Sequence, residues 1–133
     1  MKKTLRVALA SAALLAGPTL VGLASPAAAS GGSDAVIRTG ACSGAADWKL
    51  KAKPDDGRLE VEWEVDTNRN GQSWNWTLRR NGTAFAQGTA TTRAPSGSFS
   101  IERRTANPAG TDTIVATATN PRSGQTCRGT LSI

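Results

Sequence analysis

The sequence predicts an all-β protein, a seven-stranded antiparallel sandwich closed by one disulfide. Three observations carry this. After residue 30 apolar residues recur with period two, with no sustained helical period. The alternating runs are short and separated by turn chemistry: Pro54-Asp55-Asp56-Gly57, Asn81-Gly82 and Asn120-Pro121-Arg122-Ser123-Gly124. The only two cysteines, Cys42 and Cys127, stand near the two ends of this region and read as a disulfide.

The first 29 residues have a different composition. Lys2, Lys3 and Arg6 precede an apolar stretch from Val7 to Ala24, and Ala27-Ala28-Ala29 offers an A-x-A cleavage site. This is the layout of a secretory signal peptide, and it predicts a secreted protein that is extracellular or cell-wall associated. Cleavage after Ala29 would leave 104 of the 133 residues, enough for one domain with one modest core. Ser30–Ala41, with its Gly and Ser, is expected to be a flexible segment, and residues 42–133 the sandwich. A bridge closing so long a loop stabilises by about 4 to 5 kcal/mol in the chain-entropy model. No later apolar run approaches the roughly 20 residues of a membrane span, so no membrane association is expected after cleavage.

The strands follow in order. Trp48, Leu50 and Ala52 alternate with Lys49, Lys51 and Lys53; after the turn, Leu59, Val61, Trp63 and Val65 alternate with Glu60, Glu62 and Glu64. A four-residue turn at Pro54–Gly57 sets Lys51 opposite Glu60, Lys49 opposite Glu62, Leu50 opposite Val61 and Trp48 opposite Trp63. One face of the hairpin is then a charge ladder and the other is core. The next hairpin joins Gln72–Arg80 to Thr83–Thr91 through Asn81-Gly82, with Trp74, Trp76 and Leu78 on one face and Phe85 opposite Leu78. A fifth strand runs near Ser98–Arg104 with Phe99 and Ile101. A sixth, Thr111–Thr119, turns Ile114, Ala116 and Ala118 to one side. The seventh, Thr126–Ile133, points Cys127, Leu131 and Ile133 inward.

The stretch Asn107-Pro108-Ala109-Gly110-Thr111-Asp112-Thr113-Ile114-Val115-Ala116 resembles the E–F corner and F strand of immunoglobulin and fibronectin type III domains. Trp63 sits where a fibronectin-like B strand often carries its tryptophan. The resemblance spans Trp48 to Ile133 and implies an immunoglobulin/fibronectin-like sandwich. Asp112 stands in place of the corner tyrosine and Ile114 in place of the immunoglobulin cysteine, so the disulfide differs from the immunoglobulin B–F bridge. The whole chain also resembles small secreted actinobacterial proteins of uncharacterised function.

The residue inventory argues against an enzyme. There is no histidine and no tyrosine, and the pairing of Cys42 with Cys127 leaves no thiol. Carboxylates remain the only acid–base groups. Glu60, Glu62 and Glu64 share a face, but lysines opposite would hold them ionised. Asp66-Thr67-Asn68-Arg69-Asn70-Gly71 matches the first half of a calcium loop, yet its twelfth position is Thr77 and the loop carries Arg69. It reads as a polar connection, and neither a metal nor a cofactor is expected.

Charge is uneven along the chain. Gly31–Asp66 holds five basic and eight acidic residues, and Thr67–Ile133 holds eight arginines against Glu102 and Asp112. If Leu78 and Cys127 point inward, Arg79 and Arg128 point outward, beside Asn75, Thr77, Thr113, Thr117 and Thr130. Such a face suits carboxylate or phosphate polymers; the lack of interleaved aromatics argues against nucleic acid. Arg103 and Arg104 are further candidate binding residues. So is Trp74, at a strand start where a half-exposed indole would stack on a sugar. The expected function is that of a monomeric, non-enzymatic binding module for an extracellular protein or cell-wall polymer. It would bind through a sheet face or the loops Asp66–Gly71, Arg93–Gly97 and Thr105–Gly110. The alternative is an inhibitor of a secreted serine protease, presenting Thr105–Gly110 with Arg103-Arg104 just before it.

Overall fold

The computed structural model describes residues 34–133. The expected signal peptide and the first residues of the expected flexible segment lie outside the described residues. Eight strands follow: β1 (Val36–Ala41), β2 (Asp47–Asp55), β3 (Arg58–Asp66), β4 (Ser73–Arg80), β5 (Thr83–Thr91), β6 (Ser98–Ala106), β7 (Thr113–Thr119) and β8 (Thr126–Ser132). They form two antiparallel four-stranded sheets. Sheet one has the order β1-β2-β3-β6, and sheet two the order β5-β4-β7-β8.

The count is eight rather than seven because Val36–Ala41, expected within a flexible segment, pairs with β2 from Val36↔Ala52 to Ala41↔Asp47. Its inward positions are Val36, Arg38 and Gly40, so the hydrophobic alternation that marks the other strands is missing. As an edge strand it needs little of it.

The β2–β3 hairpin turns more tightly than expected. Asp56 and Gly57 both have positive φ, 55° and 78°, and form a two-residue turn with Asp55 opposite Arg58. Every pairing therefore moves by two residues. Lys53 faces Glu60, Lys51 faces Glu62 and Lys49 faces Glu64, while Leu50 meets Trp63 and Trp48 meets Val65. Pro54 is accommodated because β1 stops pairing at Ala52, so no neighbour on that side requires its missing N–H. In the second hairpin a bulge lies between Leu78 and Arg79. Leu78 pairs with Ala86 and Arg79 with Ala84, leaving Phe85 as the extra residue rather than the partner of Leu78.

Both inner faces meet in one core, which includes Leu50, Val61, Trp63, Trp74, Trp76, Leu78, Ile114 and Leu131. Indoles lie against glycines. Gly40 is the cross-strand partner of Trp48, and Gly88 that of Trp76. Gly129, on β8, faces Trp48 and Trp63 of the opposite sheet; a methyl there would approach the Trp48 ring to 2.8 Å. The rings of Trp48 and Trp63 are tilted, with centroids 5.8 Å apart.

Cys42, just after β1, is bonded to Cys127 in β8, tying one edge of sheet one to one edge of sheet two. At the other end of the sandwich the buried Asp112 accepts hydrogen bonds on Oδ1 from Arg80 Nη1 (3.1 Å) and Asn81 Nδ2 (2.9 Å). Arg80 Nε donates to Thr105 Oγ1 at 3.3 Å, so this one guanidinium joins β4 of sheet two to β6 of sheet one. The Asp112 carboxylate thus pins the chain entering β7 to the end of β4.

Two losses of stability are expected in urea denaturation. Cys42→Ser should cost about 4 kcal/mol through the lost loop closure. Gly129→Ala should cost about 1 to 3 kcal/mol through overpacking against Trp48 and Trp63.

Candidate functional site

The outer face of sheet two follows from the register. Trp76, Leu78, Ile114, Ala116, Cys127 and Leu131 turn inward, so their sequence neighbours turn outward. Across the sheet this sets Thr77 beside Gln87, Thr117 and Arg128, and Arg79 beside Ala84, Val115 and Thr130. Asn75 lies beside Thr89 and Thr119, and accepts a hydrogen bond from Thr89 Oγ1 on Oδ1 at 3.0 Å. The face is thus a field of hydroxyls and amides with two guanidiniums. Strand spacing and rise put the Cα atoms of Arg79 and Arg128 roughly 12 Å apart, two strands over and two residues along.

None of the ten acidic residues lies on this face. Nine are on β2, β3, β6, their ends or the chain before β1, and the tenth is the buried Asp112. Arg79 and Arg128 make no ion pair among the described residues, whereas the outer face of sheet one interleaves both signs, with acids in excess and Glu102 opposite Glu62. There Lys53 reaches Glu60 (3.7 Å), Lys49 reaches Glu62 (3.8 Å), and Arg104 pairs with Asp55 and with Glu60 (3.6 Å).

Of the five residues predicted to bind, the structure brings together only Arg79 and Arg128. Arg104 belongs to the charge ladder of the other sheet. Arg103 pairs with Val61 and so occupies an inward-facing position on the edge strand β6. Its guanidinium lies over the Trp76 ring, 5.1 Å from the centroid, covering the open edge of the core. Trp74 is fully buried, packs on Phe99 with centroids 6.5 Å apart, and donates from Nε1 to Gln72 Oε1 at 3.4 Å. It offers no platform to a sugar. The alternation that places Trp76 and Leu78 in the core includes Trp74.

The loops gather by strand direction. The β3–β4, β5–β6 and β7–β8 connections share one end with the disulfide. The segment after Thr105 lies at the opposite end, and Thr105 and Ala106 themselves belong to β6. Two buried threonines organise the first end. Thr67 Oγ1 donates toward the Gly97 and Arg69 carbonyls (2.9 Å each), and Thr92 Oγ1 donates to Arg69 O and accepts from Gln72 N at 2.9 Å. Gly97, at φ 73°, packs directly on the Asn68–Arg69 backbone, where no side chain fits. In the calcium-like stretch, Asp66 Oδ1 accepts the Asn68 N–H at 3.0 Å, an Asx turn of the chain upon itself. Among the described residues no three Asp, Glu, Cys or His side chains cluster as metal ligands.

Between Gly71–Ser73 and Asn120–Ser123 these loops leave an open cleft of about 570 Å³. The sequence reading did not find it, nor the Arg80–Asp112 pair. The inward parity of Arg80 beside Leu78 was the available signal for the pair. The cleft joins segments nearly fifty residues apart and leaves no local pattern.

No family model matches the chain, and no match is found among curated proteins or solved structures. No helix among the described residues is long and apolar enough to cross a membrane.

Trp74→Ala is expected to lower unfolding stability by about 3 to 5 kcal/mol, as much as Trp76→Ala. A much smaller loss would return Trp74 to the surface. Millimolar calcium is expected to leave the melting temperature unchanged, because the Asp66–Gly71 loop carries a single carboxylate and an arginine.

Proposed function

We propose that this chain is a secreted, non-enzymatic binding module that holds an anionic polymer of the cell envelope against the outer face of sheet two. The observation that carries this reading is the charge segregation. Two unpaired guanidiniums stand among hydroxyls and amides on a face without one carboxylate, while the outer face of sheet one carries acids in excess, interleaved with lysines. Guanidinium groups bind carboxylate and phosphate bidentately, and neighbouring hydroxyls and amides can hydrogen-bond the polyol or sugar between the anions. The formed disulfide is compatible with an oxidising compartment, and the layout of residues 1–29 supports export.

In its finer classification we read the domain as immunoglobulin/fibronectin-like. The order β2-β3-β6 opposed to β5-β4-β7-β8 supports this, with β1 as an added edge strand. The protease-inhibitor reading stands behind it. Arg103 and Arg104 lie in a paired strand and are engaged over Trp76 and with Asp55 and Glu60, and residues 107–111 carry no basic residue to fill a trypsin-like pocket.

Purified protein mixed with cell walls of a Gram-positive bacterium is expected to co-sediment at low salt and to be released at high salt. Arg79→Ala with Arg128→Ala should weaken pelleting about tenfold or more, as for charge-assisted hydrogen bonds lost at a partly solvated site. Protein left wholly in the supernatant at low salt would overturn the reading.

A further inference from the structure

We infer that the cleft between the β3–β4 and β7–β8 loops is the end of one continuous binding track along sheet two. Its ligand class is a linear polymer with an anion in every repeat and hydroxyls between. This rests on the reading of the outer face just given. Ser73 is the link: it lines the cleft and is also the first outward residue of β4, in line with Asn75, Thr77 and Arg79. From Ser73 to Arg79 is six residues, about 20 Å of strand.

Arg122 stands on the far wall of the cleft, exposed and without an ion pair among the described residues. The track therefore has Arg122 at one end, Arg79 at the other and Arg128 on its flank, with no acidic residue between. The walls are set in advance. Asn120, itself buried, accepts the Arg122 N–H at 2.9 Å and the Ser123 N–H at 3.3 Å on its side-chain oxygen. Its backbone is held from both directions, by Gln125 O and Gly124 N. On the near wall, Thr92 holds the Gln72 N–H through Oγ1 and the Gly71 N–H through its carbonyl. Buried side chains are thus committed to the shape of the loops, while Arg122 and Ser73 face outward. Rigid walls lower the ordering cost of binding.

A geometry of three cations spread along and beyond about 20 Å of strand predicts a threshold in ligand length. A single carboxylate or phosphate meets one arginine. A chain long enough to reach from Arg79 into the cleft meets all three, and its affinity should rise faster than its charge.

The test is calorimetric titration of the purified protein with galacturonate, its trimer, its hexamer and polygalacturonate at fixed low salt. Arg122→Ala is compared with the double variant Arg79→Ala/Arg128→Ala and with Arg38→Ala. The last removes a charge from sheet one, so it reports the effect of net charge alone. The expected result is that affinity divided by uronate number rises about tenfold between trimer and hexamer, and that Arg122→Ala loses about tenfold for hexamer and polymer but not for the monomer. If Arg122→Ala equals Arg38→Ala while the double variant still weakens binding, the cleft is no part of the track and the sheet-face reading stands. If the double variant also equals two copies of the Arg38→Ala effect, both fall. Affinity proportional to uronate number would overturn the continuous track, and binding of linear polyphosphate without binding of polygalacturonate would overturn the hydroxyl-bearing class.

Discussion

The packing of indole rings against strand glycines is the constraint on which the rest of the sandwich depends. A core with only two phenylalanines and no tyrosine must fill its volume with a few large rings. Three of the four indoles, those of Trp48, Trp63 and Trp76, lie against strand positions that have no side chain, while Trp74 packs on Phe99. Gly40, Gly88 and Gly129 supply those positions, two of them as direct cross-strand partners of a tryptophan. The remaining core positions mix branched residues such as Leu50, Val61, Leu78 and Ile114 with small ones such as Ala52, Ala116 and Ala118. Dense packing has a polar cost: Trp63 Nε1 and Trp76 Nε1 are buried without a hydrogen-bond partner in the protein.

With the core fixed from within, the outer faces are free to differ. Sheet one carries interleaved lysines and glutamates, several of them in ion pairs. Sheet two carries hydroxyls, amides and uncompensated arginines. The inner edges are treated differently again. Arg38 and Arg103 occupy inward-facing positions on the two edge strands of sheet one, a placement that discourages further strands from adding there. An arginine on the described strands therefore serves one of three purposes according to its parity and strand. It guards an edge, neutralises an acid, or faces solvent unpaired.

Parity was the part of this structure most legible in the sequence. The β2–β3 turn was read as four residues and is two, yet every side chain in the hairpin kept its face. An even shift leaves a period-two pattern in place; an odd one would have exposed the tryptophans. The same parity placed Arg79 and Arg128 outward from Leu78 and Cys127. It would have placed Arg103 inward beside Phe99 and Ile101, and Trp74 in the core beside Trp76. What could not be read locally depends on neighbours distant in sequence. The bulge at Phe85 is one such feature. β1 is another, since its inward Val36, Arg38 and Gly40 carry no hydrophobic rhythm. The cleft exists only because two loops nearly fifty residues apart end side by side.

The bond between Cys42 and Cys127 encloses every connection between consecutive strands, from the loop after β1 to the turn before β8. A single cut of the backbone anywhere in those connections therefore opens a ring and leaves one covalent molecule. Neither piece can diffuse away, and the two remain at the high effective concentration that favours re-pairing of their strands. The loops that build the cleft are therefore parts of the chain whose cleavage sheds nothing.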